Sequence, residues 1–156
     1  MVELDFLKSL GILYWKLDVD NWEREGLLAK IKKDRNYSKD EVRTVNKEKT
    51  PNYEEKIKGF FQEHMHSNEE VRFIMEGGGY FDVRDKSEEW IRIEMEKGDL
   101  VILPAGIYHR FTLDTKNHIK VMHMFVGETV WDRFNRPADD HPQRKDYLQS
   151  LEKGMW

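Results

Sequence analysis

The 156-residue sequence predicts a mainly β domain, a sandwich or barrel of the jelly-roll kind, with helices packed outside it. Three observations predict this. Apolar residues change from helical to alternating spacing at residue 62. The turn-forming stretches "EGGG", "RDKSEE" and "DTKN" then recur at short intervals. Aromatic residues make up 12% of the chain, enough large side chains to fill a core despite 36% charged residues.

Residues 1–61 read as a mostly helical N-terminal part. Leu4, Leu7 and Leu10 recur at helical spacing and Gly11 offers a stop. A second helix is expected after "DVDN", capped by Asp20 or Asn21, with Trp22, Leu27, Leu28 and Ile31 as its apolar set and a basic end. Ser38 and Glu41 stand in the reciprocal positions of a capping box, which predicts another helix start. In "NYEEKIKGFFQ", Tyr53, Ile57, Phe60 and Phe61 share one helical face behind Asn52. Strands are predicted over 62–67, 70–75, 79–84, 90–95, 100–103, 108–113 and 119–126, so that 62–126 forms the β core. Residues 127–156 carry two prolines and no alternation, and read as an irregular C-terminal tail with a short helix at 144–152. One domain spanning 1–156 is expected.

Composition narrows the function. A net charge of -4 with interleaved signs offers no basic stripe for nucleic acid and no polybasic run for a membrane, so a small-molecule partner is expected. With no cysteine, any metal must be held by nitrogen and oxygen. The start "MVELDFLKSLGILYW" is too charged and too briefly apolar for a signal peptide, which predicts an intracellular protein.

The chemistry-bearing stretch is "QEHMHSNEEVRF". On a strand, residues i and i+2 share a face, so His64 and His66 can converge on one ion, and Glu70 lies at an even offset from both. Alone, this pattern also describes two solvated histidines. A second stretch, "GDLVILPAGIYHRF", runs an apolar strand into a Pro-Ala-Gly turn and starts the next strand with His109, facing the same interior as Phe111. Together, His64, His66, Glu70 and Gly77 reproduce H-x-H-x3-E-x6-G, and Gly98, Pro104, Gly106 and His109 reproduce G-x5-P-x-G-x2-H.

These are the two motifs of the cupin superfamily, and the sequence resembles them closely; Gly59 sits one position nearer His64 than the pattern has it, and Leu113 stands where an Asn is common. "LGILYWKLD", "KDRNYS", "PNYEEKIK", "GYFDVRDK", "WIRIEMEKGDLVILPAGIYHRFTLD", "FVGE" and "NRPADD" further resemble the acireductone dioxygenase (ARD) family, from about Leu10 to Asp140. The resemblance implies a cupin jelly-roll β-barrel and an enzyme of methionine salvage. That enzyme cleaves 1,2-dihydroxy-3-keto-5-methylthiopentene with O2. With iron the products are 2-keto-4-methylthiobutyrate and formate; with nickel they are 3-methylthiopropionate, formate and carbon monoxide. It also implies a further segment ahead of the first helix, without which lower folding stability or activity is expected.

Three imidazoles and one carboxylate leave two positions of an octahedron open for a chelating oxygen pair, a donor set suited to iron(II), nickel(II), cobalt(II) or manganese(II). The resemblance narrows this to Fe(2+) or Ni(2+), one per chain. Arg72, two residues past Glu70, falls on the ligand face, where it could hold the substrate anion or serve a structural ion pair. The resemblance places Phe111 and Trp131 around the substrate's methylthio arm, where sulfur packs against aromatic edges. Phe73 matches a family pocket position, although strand parity turns it away unless a bulge intervenes. Glu69 reads as an outer acid or proton acceptor, Glu70 being the ligand. His118, His123 and His141 read as structural or solvated. A monomer in the cytoplasm is expected, with nuclear entry open to so small a chain. Two other classes compete: a non-catalytic cupin kept as a binding or interaction module, and another cupin enzyme such as a sugar isomerase.

Overall fold

In the computed structural model, which describes residues 2–156, two five-stranded antiparallel sheets face each other across one apolar interior. The chain order is α1 (Leu4–Ser9), β1 (Leu13–Lys16), α2 (Trp22–Glu25), α3 (Leu27–Arg35), β2 (Lys39–Asn46), α4 (Tyr53–Phe60) and β3 (His64–Met65). There follow β4 (Glu70–Gly77), β5 (Gly79–Arg84), β6 (Trp90–Met95), β7 (Asp99–Leu103), β8 (His109–Leu113), β9 (His118–Phe125), β10 (Phe134–Asn135) and α5 (Pro142–Lys153). One sheet runs β1-β7-β4-β9-β2 and the other β10-β3-β8-β5-β6, so neighbours in sequence repeatedly cross between sheets, as in a jelly roll. Every strand predicted from alternation is present, each boundary within two residues of the expected one.

Strand parity sorts the first sheet into two faces. Ile74, Val101, Leu103, Ile119 and Val121 point inward to meet Phe81, Val83, Met95 and Phe111 of the second sheet. Val71, Phe73, Leu100, Ile102 and Met122 point outward, where Leu28 and Ile31 of α3 and Trp22 of α2 cover them. This sheet is therefore buried on both sides, which is why β7 reads as the unbroken apolar run "LVIL".

Three expectations for the flanks are corrected. Ser38–Glu41 does not cap a helix: Lys39–Asn46 is β2, paired along its length with β9. The Ser38 hydroxyl instead accepts a hydrogen bond from Gly127 N. Val42, Thr44 and Val45 favour a pleated strand, and cross-strand pairing outweighs a four-residue coincidence. With β1 also a strand, the part read as mostly helical supplies two strands of the first sheet. The helix expected after Asp20 is split at Gly26, whose φ of 80° is left-handed and ends α2 before α3 begins. Finally, the tail is less irregular than expected. It adds β10 to the second sheet, and α5 starts at Pro142 behind His141, whose Nδ1 accepts from Gln143 N.

Helix α5 bears on the site. Arg144 donates to Gly106 O at 3.1 Å and Tyr147 to Leu10 O at 2.9 Å, docking the helix under the Pro-Ala-Gly turn that leads into β8. A Cβ at Gly106 (φ 83°) would come within 2.3 Å of Gln143 O, so close docking needs glycine there. The first motif's Gly77 (φ 71°) is similarly required, since a Cβ would sit 1.9 Å from His118 O. Among the described residues no helix is long and apolar enough to cross a membrane.

Candidate metal centre

Antiparallel pairing of β3 and β8 sets His64 directly opposite His109, and His66 follows just beyond the end of β3. One ring nitrogen from each of the three lies within 4.8 Å of the others. Their rings are 4.5 to 5.1 Å apart between centroids. Glu70 enters from the opposite sheet as the first residue of β4. Its Oε2 lies 2.6 Å from His109 Nε2 and 3.2 Å from His66 Nε2.

The hydrogen bonding around these groups decides what they can hold. Each Nδ1 is engaged by a main-chain carbonyl: His64 with Gln62 O at 2.6 Å, His66 with Asp132 O at 2.5 Å, and His109 with Ile107 O at 3.0 Å. A neutral ring donating from Nδ1 keeps its Nε2 lone pair free, so the Nε2 atoms of His66 and His109 face the Glu70 carboxylate with the His64 ring beside them. Despite their closeness, Glu70 Oε2 and His109 Nε2 are buried without a hydrogen bond. Opposed acceptors in a buried place are costly unless a cation lies between them, and this donor set fits a divalent ion.

The electrostatics differ from ring to ring. Burial pushes His64 down to about 3, with the neighbouring His109 adding to the effect, so it stays neutral and able to ligate. Burial would also lower His66, but the Glu70 carboxylate outweighs it and raises that imidazole. Glu70 is held well below the usual carboxylate range: burial opposes ionisation, and Arg72 followed by His109 and His66 overcome it.

The centre opens into a cavity of about 590 Å³ between the sheets. Arg72 lines it, its Nη2 bonded to Glu70 Oε1 and its Nε buried without a partner. The structural ion pair is present, and Arg72 keeps its place on the cavity wall. Phe111 lines the wall, with Phe60 of α4 and Phe81 edge-on or tilted against it. Trp131 forms part of the mouth, T-shaped against His123 at 4.8 Å and capped by the Arg43 guanidinium at 3.8 Å.

Two candidates are placed otherwise. Phe73 is fully buried on the outer face beside Trp22, 6.2 Å between ring centroids, and does not line the cavity. The β4 bulge lies between Ile74 and Glu76, beyond Phe73, and leaves its parity unchanged. Glu69 reaches the wall, but its oxygens are taken by Arg35 Nη2 at 2.5 Å and Tyr37 Oη at 2.7 Å.

One residue read as structural belongs to the cavity. His123 pairs across from Arg72, lines the cavity and is buried. Burial and then Arg72 lower it to about 2, so it presents a neutral ring. Its phase with Ile119 and Val121 was the available signal. His118 pairs with Glu76 at 3.0 Å and Asn46 at 3.2 Å, outside the site.

The family model described as ARD/ARD' matches residues 1–133. The chain belongs to this family. Relatives include the acireductone dioxygenase of Ixodes scapularis, 60% identical over 93% of this chain and 79% of its own length. That of Rattus norvegicus is 59% identical over 97% of this chain and 84% of its own. Among solved structures, a family member from Bacillus anthracis superposes with a TM-score of 0.74 at 27% identity, covering 83% of this chain and 86% of that one. It is described as an acireductone dioxygenase with a cadmium ion in its active centre.

Proposed function

We propose that this chain is an acireductone dioxygenase of methionine salvage that holds one Fe(2+) or Ni(2+) through His64, His66, Glu70 and His109. The observation that carries the reading is the cluster of His64, His66 and His109, two of whose Nε2 atoms meet the buried Glu70 carboxylate, in a chain whose relatives at about 60% identity are acireductone dioxygenases. A divalent ion bound there supplies a Lewis acid and a template for the two oxygens of an enediolate.

The chain's own residues do the rest. Arg72, on the cavity wall, meets the substrate's negative charge with its guanidinium, which Glu70 keeps oriented. Phe111 and Trp131 offer aromatic surface to the methylthio arm. His123, neutral and held by Trp131, fills the wall without adding charge beside Arg72. Glu69 has both oxygens occupied by Arg35 and Tyr37, so we assign it to holding the wall and not to taking a proton. Phe73 supports the sheet from its outer face.

Elemental analysis of the purified chain, paired with an assay that admits oxygen to anaerobic enzyme and acireductone, tests the reading. Stoichiometric iron or nickel with oxygen-dependent release of formate is the expected result. The keto acid or carbon monoxide then identifies the route. A metal-loaded protein that leaves acireductone to decay at its spontaneous rate would favour the binding-module alternative.

A further inference from the structure

The three imidazoles are not held in the same way. His64 and His109 bond through Nδ1 to carbonyls two residues away, Gln62 O and Ile107 O, so the chain just ahead of each strand fixes their rings. His66 depends on Asp132 O, 66 positions along the chain. Asp132 also grips the next residue: its carboxylate accepts from Ser67 N at 3.1 Å and from the Ser67 hydroxyl. One residue therefore holds the ring of His66 with its main chain and the backbone beyond it with its side chain.

Asp132 sits in residues 126–133, which have no helix or strand yet form part of the cavity wall. Its neighbours anchor the same segment. Trp131 packs on His123 and Phe125 beneath Arg43, and Arg133 donates to Gly59 O at the end of α4.

We propose that Asp132 is a positioning residue that orients His66 for metal binding and ties that ligand to the segment closing the cavity. The inference rests on the metal reading above. A carbonyl on Nδ1 fixes the tautomer that leaves Nε2 free and raises the ring's basicity toward an ion. Losing the carboxylate's grip on Ser67 frees both Asp132 O and the His66 backbone to drift apart, while His64 and His109 stay fixed by the chain just ahead of their own strands.

The test uses the full chain and cobalt(II) alone as probe, with affinity measured by chelator competition and ligand geometry by the visible absorption of the bound ion. Asp132→Ala is expected to weaken cobalt binding by about 10–100-fold and to alter the spectrum. Asp132→Asn retains an acceptor for Ser67 N and a donor for its hydroxyl, and is expected to stay within about threefold of wild type with the wild-type spectrum. Wild-type affinity and spectrum in Asp132→Ala, or equal losses in both variants, would overturn the proposal. Should Asp132→Ala fail to fold, Ser67→Ala decides: a loss of about 3–10-fold supports the clamp, and no loss overturns it. Wild-type protein that takes up no cobalt overturns the metal reading and this inference with it, whereas wild-type uptake with an indifferent Asp132→Ala overturns this inference alone.

Discussion

The strand-borne wall of the cavity and the wall supplied by residues 126–133 face the same space but are built on different terms. On the first, Glu70, Arg72 and His123 share the inner face of one sheet and His64 and His109 pair across the other, all fixed by ladder register. On the second, Trp131 and Asp132 are placed by side-chain and main-chain contacts outside any ladder, and Trp131 is 44% exposed. Most of the chemistry that cannot tolerate displacement sits on strands, His66 being tied instead to the segment without regular structure.

That contrast can be broken from the strand side first. His109→Ala should abolish metal retention through dialysis. Outer partners of metal ligands are already worth about 10–100-fold, and a lost ligand exceeds that; elemental analysis showing unchanged metal content would remove His109 from the ligand set. Next, Phe73→Ala and Arg72→Ala compare the two faces of one strand. Phe73→Ala should cost about 3–5 kcal/mol of stability in denaturant titration while leaving metal affinity alone, because it empties the outer core. Arg72→Ala should act on turnover instead, lowering kcat/KM by roughly 10–150-fold through a lost charge-assisted contact of about 1.5–3 kcal/mol, with metal retained. Smallest is the loop side: Trp131→Ala should raise KM by about 2–5-fold, from the ~0.5–1 kcal/mol typical of exposed aromatic contacts. Its unfolding midpoint should barely move, a shift within about 0.5 kcal/mol being usual for a surface site.

The same contrast explains what could be read in advance. Residues on strands obey a period of two, so the motif histidines, Glu70 and the cavity-facing side of Arg72 followed from spacing, and the outward turn of Phe73 was visible in its parity even where family position suggested a pocket role. His123 was in phase with Ile119 and Val121, but only the pairing of β9 with β4 sets it opposite Arg72, and a pairing between strands nearly fifty residues apart leaves no local mark. Strand β2 was hidden for the same reason. Its partner β9 decides its conformation, while its own sequence carries helix-start residues by coincidence. Asp132 had no signal at all, since its contacts with His66 and Ser67 exist only once β10 has paired with β3.

Two imidazoles come from one sheet, the third from just past the end of its strand β3, and the carboxylate from the other sheet. Sliding β4 by a single position would exchange Glu70 and Arg72 for Val71 and Phe73 on the inner face and leave nothing for the histidines to share with it. An ion held by residues of both sheets would therefore add stability only to a sandwich whose two halves have found their alignment.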